Sequence, residues 1–233
     1  IGEDGHFSSK FDFAPEMCGK GGAWYEHENV TPEMYKNAIF DSQLRVADIG
    51  FLSNIIENHD EPRGVCRYIP DGDLNDTSKK ALAAVYFFLR GIPFIYQGQE
   101  IGMENCPFES IDQLDDISSK DEYKVCRDAG YSEEESMKLL RVYSRENART
   151  PVQWSDEENA GFSTHEPWMI VNPNYKEINL AKQKDDSNSV YAFYKKMIAL
   201  YKDPAYHETL AFGRFEPYMR ETKNLIAYYR RGE

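Results

Sequence analysis

Hydrophobic positions along the chain recur in turn at the spacings of strands and of helices. Mostly apolar runs at residues 7–13, 51–56 and 94–96 have the length of β-strands, and the second run is continuous enough to be covered on both faces. Between them, residues 32–47 and 76–89 carry apolar side chains every three or four positions, as amphipathic helices do. This order of strand, helix, strand, helix and strand predicts a parallel sheet of the α/β class.

Residues at the ends of these segments indicate where the helices begin and where functional groups lie. Thr31 followed by Pro32 offers an N-cap and a proline at the first helical position, and Gly91 is placed to close the second helix. Polar residues follow two of the strands directly, at 57–60 and 97–100. Because the carboxyl ends of barrel strands form the active face of such folds, we expect functional side chains at these two places.

The second half of the chain is less regular. Residues from about 104 to 175 are predicted to be a charged insertion with helices at 120–128 and 132–145. A further helix at 189–201 carries a single apolar stripe.

Near the end of the chain the apolar positions change to a period of two. Residues 209–218 and 225–229 alternate in this way, which is typical of strands exposed on one face. We therefore predict that a small β domain begins here and is cut off.

The composition narrows the classes of partner. A net charge of -13 over 233 residues argues against nucleic acid as a partner and suits a neutral substrate. No window approaches the roughly eighteen apolar residues needed to span a bilayer, so we expect no membrane contact and a cytoplasmic location. The cysteines are too scattered for a zinc site or a redox pair, and we predict free thiols at Cys18, Cys66, Cys106 and Cys126.

The segment that follows the second strand has the composition of a sugar-binding site. His59, Asp60 and Arg63 stand close together where a barrel presents its catalytic groups. Glycosidic cleavage passes through an oxocarbenium-like state, which a fixed carboxylate and donors to the ring hydroxyls stabilise. A lone His-Asp pair in a loop is more often structural, with the aspartate capping a turn. Context from the rest of the chain has to decide between the two.

Four separate motifs supply that context, because together they resemble the α-amylase family, glycoside hydrolase family 13, in its oligo-1,6-glucosidase and α-glucosidase branch. They occur in the family's order and extend over most of the chain. The motifs are I-E-N-H-D-E-P-R at 56–63, G-I-P-F-I-Y-Q-G-Q-E-I-G-M at 91–103, E-N-A-R-T-P-V-Q-W at 146–154 and V-N-P-N-Y-K-E-I-N at 171–179. The resemblance implies the last three βα units of a (β/α)8 TIM barrel over residues 1–203. It also implies that residues 204–233 are the truncated start of a C-terminal β-sandwich domain.

The resemblance also implies roles for individual residues. Asp60 matches the family's third catalytic carboxylate, which grips the ring hydroxyls of the bound glucose and stabilises the transition state. His59 matches the histidine that binds the same sugar, and Arg149 matches the arginine of the N-A-R-T-P motif near the substrate. Arg63 follows Asp60 at the usual interval, and either substrate binding or a structural ion pair would account for it.

Other candidates lie around the predicted pocket. Gln99 and Glu100 follow the last strand at the expected rim, where most family members carry an acid in place of Gln99; a loop that satisfies its own backbone is an equal alternative for both. Phe162, Trp168 and Tyr175 are aromatic residues that either stack on sugar rings or simply pack.

The same resemblance shows which groups are missing. A retaining enzyme of this family needs an aspartate nucleophile and a glutamate acid about 5 Å apart, and both are expected upstream of Ile1. Glu3 is rejected as that acid because its Gly-Glu-Asp-Gly setting is typical of a turn. We expect no cofactor and no metal, since the acidic run at 112–121 lacks the spacing of a calcium loop and is predicted to be solvated.

The expected activity is hydrolysis of α-glucosidic bonds in short gluco-oligosaccharides by a longer parent enzyme, with this piece inactive alone. Three strands cannot close an eight-stranded barrel. Within the class, a trehalose-6-phosphate hydrolase or a sucrose isomerase shares the motifs. Outside it, the alternative is a non-catalytic relative that serves as a binding or transporter-associated domain.

Overall fold

The structure is a computed structural model that describes residues 4–47, 49–70 and 72–232. These residues form five strands and eight α-helices, joined by short 3-10 turns. In chain order they are β1 (Ser9–Phe11), α1 (Pro32–Val46), β2 (Phe51–Asn54), α2 (Gly64–Tyr68), α3 (Asp76–Phe87), β3 (Gly91–Pro93), α4 (Ile117–Asp128), α5 (Glu133–Tyr143), α6 (Leu180–Gln183), α7 (Val190–Lys202), α8 (His207–Phe212), β4 (Arg214–Tyr218) and β5 (Ala227–Arg231).

The first three strands form one parallel sheet in the order β1-β2-β3. Ser9 lies opposite Phe51, and Leu52 lies opposite Gly91. Helix α1 connects β1 to β2, and α2 with α3 connects β2 to β3. The predicted α/β class with two successive βαβ units is confirmed. Helix α1 begins as predicted, because Thr31 Oγ1 accepts a hydrogen bond from the Met34 amide and Pro32 occupies the first turn.

The third strand lies three residues earlier than its apolar run indicates. The prediction placed it at 94–96 with Gly91 closing the preceding helix, but helix α3 ends at Phe87 and Gly91 is the first residue of β3. Gly91 has φ of +125°, and a Cβ there would lie 2.1 Å from the carbonyl oxygen of Leu52. The close approach of two strands, not a helix end, explains this glycine.

Helices α1, α3 and α7 enclose the main hydrophobic core. Aromatic side chains dominate it, with Tyr35 and Phe40 from α1, Tyr86 from α3 and Tyr194 from α7 all buried. Phe215 of β4 joins the same cluster. The core therefore fixes α1 and α3 behind the sheet, and with them the carboxyl ends of β1, β2 and β3.

The C-terminal segment is only partly strand. Strands β4 and β5 form an antiparallel pair, whereas residues 209–212, which the alternating pattern predicted to be extended, lie in helix α8. The amide of Leu210 bonds the carbonyl of Tyr206, and Gly213 ends the helix by bonding the Thr209 carbonyl. These local bonds override a short period-two pattern. The domain boundary at residue 204 stays a prediction.

The insertion contains both helices that the sequence predicts, as α4 and α5. A second hydrophobic cluster lies between them and the segment before α4, and it includes Cys106, Phe108, Met137 and Leu140. Helix α5 begins with a capping box in which Ser132 and Glu135 bond each other's backbone amides. Among the described residues, no helix is long and apolar enough to cross a membrane.

Candidate active site

The turn after β2 presents Asp60 beyond the carboxyl end of the strand. Asn58 shapes this turn: its Oδ1 accepts the Asp60 amide at 2.6 Å, and its Nδ2 donates to Glu16 Oε1 at 2.8 Å. Glu16 lies on the segment after β1, so the amide ties together the loops of two neighbouring strands. The loops after β1 and β2 therefore meet at the carboxyl edge of the sheet.

The Asp60 carboxylate lies between two guanidinium groups. Its Oδ1 accepts hydrogen bonds from Arg145 Nη1 at 2.9 Å and from Arg149 Nη2 at 3.1 Å, while its Oδ2 lies 3.3 Å from His59 Nε2. The side chain is 52% exposed. A ligand therefore has access to a carboxylate whose orientation is already set. Asp60, His59 and Arg149, which sequence analysis predicted to act together, are in contact.

A second carboxylate, Asp116, holds the same two arginines from the other side. Its Oδ2 accepts from Arg145 Nε at 2.5 Å and from Arg149 Nη1 at 2.6 Å, and its Oδ1 accepts from Arg145 Nη2 at 3.0 Å. The Asp116 side chain is only 7% exposed. Its hydrogen bond to Arg145 lowers the pKa of Asp116 and raises that of Arg145. We call Asp60, Asp116, Arg145 and Arg149 the Asp60 network.

The local fold fixes the two arginines. They begin and end a 3-10 turn, Arg145–Arg149, in which Ser144 Oγ accepts a hydrogen bond from the Glu146 amide. Asn147, in the middle of this turn, is fully buried, and its side chain bonds the Cys106 amide and the Ser144 carbonyl. Because the turn is anchored from inside, both guanidinium groups point toward the β2 loop.

Sequence analysis missed Asp116 and Arg145. The acidic run at 112–121 was predicted to be a solvated loop, and this is wrong for Asp116, whose carboxylate is buried in ion pairs and caps α4 through the Ser118 amide. The available signals were an aspartate directly before a helical segment, typical of an N-cap, and an arginine four residues before Arg149.

Arg63 is placed behind the Asp60 turn, away from solvent. Its side chain is 0% exposed, and its Nη1 bonds Glu57 Oε1 at 3.1 Å and the Gln97 carbonyl at 2.8 Å. The guanidinium also lies 5.6 Å from the centre of the Tyr96 ring. These contacts join the ends of β2 and β3 and favour the structural alternative for Arg63 over substrate binding.

Gln99 is also buried and points into the protein. Its Nε2 donates to the hydroxyls of Tyr86 at 2.7 Å and Tyr194 at 2.8 Å, and its Oε1 accepts the Tyr96 amide. It therefore links α3 to α7 and does not face the rim of a pocket. Glu100 is partly buried, and its Oε2 has no hydrogen-bond partner in the described part of the chain.

Two cavities lie next to the Asp60 network. One of about 300 Å³ is lined by Asp60, Arg145, Trp24, His27 and Tyr143 among others. His27 stacks on Tyr143 with ring centres 3.8 Å apart, and burial lowers its pKa to about 4, so the imidazole is neutral at pH 7.

The other cavity, of about 150 Å³, is lined by Arg149, Phe162 and Trp168. Trp168 is 80% exposed and Phe162 about half exposed, so each ring presents exposed surface to a ligand. Tyr175, the third aromatic candidate, has the Lys176 ammonium over its ring at 4.6 Å instead.

The Asp60 network can stabilise positive charge on a bound ligand, but by itself it cannot cleave a bond. The other carboxylates of the β2 loop are engaged: Glu61 bonds Lys20 at 2.6 Å and Arg67 at 3.1 Å, and Glu57 bonds Arg63. Within the described residues we assign no nucleophile and no general acid. Glu3, rejected on sequence grounds, lies outside them.

Comparison with known proteins identifies the family. The profile for the α-amylase catalytic domain matches residues 5–209. The chain belongs to the α-amylase family. Within this family it is 40% identical over 207 residues to a probable oligo-1,6-glucosidase of Bacillus subtilis, covering 89% of this chain and 37% of that protein. It is 38% identical over 222 residues to the oligo-1,6-glucosidase of Bacillus cereus, covering 95% and 39%.

A solved family structure has the same fold. The trehalose-6-phosphate hydrolase of Bacillus licheniformis superimposes with a TM-score of 0.90 at 34% identity, covering 97% of this chain and 41% of that one. The chain thus spans about two fifths of the length of the relatives it matches. The resemblance to the α-amylase family and to its TIM-barrel fold, drawn from four motifs, is confirmed.

Proposed function

We propose that this chain is part of a retaining glycoside hydrolase that cleaves α-glucosidic bonds in short gluco-oligosaccharides. The observation that carries the proposal is the Asp60 carboxylate, half exposed at a strand tip and held in place by two guanidinium groups. A carboxylate in this position stabilises positive charge that develops on a sugar ring, and it does so without reorganising.

Each contact of Asp60 has a role in this proposal. Asp60 accepts hydrogen bonds from ring hydroxyls, which strengthen as the ring acquires oxocarbenium character. His59, beside it at 3.3 Å, donates to the same sugar. Arg149 holds the carboxylate and faces the cavity with Phe162 and Trp168, where a second sugar ring would stack. The nucleophile and the general acid come from other parts of the longer protein.

The substrate is proposed from the relatives. Two of them are named for oligo-1,6-glucosidase activity and one for hydrolysis of trehalose 6-phosphate. We favour a neutral gluco-oligosaccharide over a phosphorylated one because the basic side chains that line the cavity beside Asp60 are already paired: Lys20 and Arg67 with Glu61, and Arg145 with Asp116. The acidic net charge also disfavours nucleic acid as a partner. We propose a cytoplasmic location.

The second candidate function is a binding domain without catalysis, which the α-amylase fold also supports. The two hypotheses differ in what the Asp60 network does. A binding domain needs donors and stacking surfaces only, whereas an enzyme needs a preorganised charge next to the anomeric carbon. The side-by-side arrangement of Asp60 and His59, with Arg149 bridging both, favours the enzyme.

Substrate assays on the full-length protein test the proposal. We expect release of glucose from isomaltose or maltose, less from trehalose 6-phosphate and sucrose, and proton NMR should show α-glucose as the first product. Residues 1–233 alone, assayed in parallel, should give no turnover. If the full-length protein binds these sugars but releases glucose from none of the four, the result would support the binding domain instead.

A further inference from the structure

The charges in the Asp60 network indicate a role for Asp116 and Arg145, the two members that sequence analysis did not predict. We propose that Asp116 and Arg145 are positioning residues for Asp60 and Arg149, and that Asp116 supplies the negative charge that keeps the network from opposing a cationic transition state. This inference rests on the proposed function and names two residues that act through others.

The contacts leave both guanidinium groups a single orientation. Arg149 uses Nε on the His59 carbonyl at 2.8 Å, Nη1 on Asp116 and Nη2 on Asp60. Arg145 uses Nε and Nη2 on Asp116 and Nη1 on Asp60. Each arginine therefore bridges the same two carboxylates. A planar guanidinium bound at three edges cannot turn without breaking charge-assisted hydrogen bonds.

Asp116 is suited to be the fixed end of this bridge. It caps α4 by accepting the Ser118 amide at 2.9 Å, and its own amide donates to Glu146 Oε1 at 3.1 Å. Its carboxylate is buried, whereas Asp60 is half exposed. The rigid partner is thus the one remote from the ligand, which leaves the exposed carboxylate available to the sugar while its orientation is kept.

The formal charges explain why a second carboxylate is present. Two arginines facing Asp60 alone would leave a net positive charge beside the ring, and this would disfavour an oxocarbenium-like state. Asp116 brings the sum of the four groups to zero, so that the exposed face of Asp60 still presents negative charge. Replacing Asp116 by asparagine keeps the side-chain shape but leaves the network with one excess positive charge.

The test compares Asp116→Asn with a matched control in the full-length enzyme, using kcat and KM on an aryl α-glucoside. We expect kcat to fall about 10- to 100-fold, with KM changed by less than about threefold, because misplaced catalytic groups act on the transition state. Glu134→Gln is the control: it removes an exposed carboxylate from a 2.8 Å ion pair with Arg141 on α5 of the same insertion, and kcat should stay within about twofold of wild type.

Three further measurements separate positioning from simple structural support. Arg145→Ala should lose activity that added guanidinium ion restores in part, which a folding defect would not show. Asp116→Asn should cost much less in an Arg149→Lys background than in wild type, because the two residues act through one contact. Asp116→Glu, which keeps the charge, should recover part of kcat.

The outcomes are distinct. An inactive wild-type enzyme would contradict the proposed function. An active one would overturn the positioning role if Asp116→Asn kept wild-type kcat, if Glu134→Gln lost as much, or if the losses with Arg149→Lys were additive.

Discussion

Arg63 lies behind the Asp60 turn as a fully buried cation, and replacing it distinguishes a structural from a substrate-binding role. Its guanidinium and the Glu57 carboxylate are both 0% exposed and 3.1 Å apart. Arg63→Met would leave Glu57 buried, with the Gly64 amide at 2.6 Å as its one remaining hydrogen-bond partner among the described residues. Removing one member of a buried ion pair costs about 3–5 kcal/mol, and we expect a loss of that size in the full-length protein.

The loss of stability in Arg63→Met should depend on pH in a definite direction. Burial raises the pKa of Glu57, and Arg63 opposes this rise most strongly. Without Arg63 the folded-state pKa rises further above the unfolded value. A carboxyl group with a raised pKa favours the folded state at low pH, and this contribution is lost as the pH rises through the folded-state pKa. Arg63→Met should therefore be more destabilised at pH 8 than at pH 5.

Thermal unfolding and kinetics together provide the assay. The double variant Glu57→Gln/Arg63→Met removes both charges and should recover at least about 1 kcal/mol relative to Arg63→Met alone. KM of correctly folded Arg63→Met should be close to wild type. Wild-type unfolding behaviour combined with a large rise in KM would refute the structural role and show that Arg63 reaches the substrate.

Three further predictions concern the fold and the edges of the site. Gly91→Ala should destabilise the protein by more than about 3 kcal/mol in thermal unfolding, because its Cβ would lie 2.1 Å from the Leu52 oxygen at a φ of +125°; an unchanged unfolding temperature would contradict the strand register. Glu122→Gln should raise stability at pH 8 and not at pH 5, since burial raises the pKa of Glu122 to about 7 and its Oε2 has no partner in the described chain. A carboxyl group whose pKa is raised by folding stabilises the folded state below its unfolded-state pKa, and this contribution is lost as the pH rises above about 7. An equal effect of Glu122→Gln at pH 5 and pH 8 would contradict this prediction. Trp168→Ala should raise KM for isomaltose about three- to tenfold without affecting unfolding, as loss of one stacking contact does; unchanged KM would remove Trp168 from the site.

The longer helices and the parallel sheet could be predicted because their causes are local. Thr31 and Pro32 mark the start of α1 in both the sequence and the structure. Strand β3 was misplaced because the reason for Gly91 is the approach of the Leu52 backbone, 39 positions away along the chain and not visible in any periodic pattern. In the same way, residues 209–212 belong to a run that alternates like a strand, but they lie in helix α8, which forms through its own backbone bonds.

The site residues also differ in whether a local sequence signal marks them. Asp60 and Arg149 were found because motifs mark them, and the structure brings their side chains to 3.1 Å. Asp116 was missed because an ion pair between distant loops leaves no local signal, and an acidic run is usually solvated. Arg63 and Gln99 belong to motifs as well, yet their side chains point inward. Motif membership predicts importance but does not distinguish a contact with substrate from a contact with the core.

The central claim is that the Asp60 carboxylate stabilises charge on a bound glucosyl ring. Asp60→Asn keeps the side-chain shape and, with more than half of the side chain exposed, should leave thermal unfolding nearly unchanged. In the full-length enzyme, kcat for an aryl α-glucoside should then fall about a hundredfold or more, as for loss of other preorganised electrostatic groups. A folded Asp60→Asn enzyme that turns over at the wild-type rate would contradict the account.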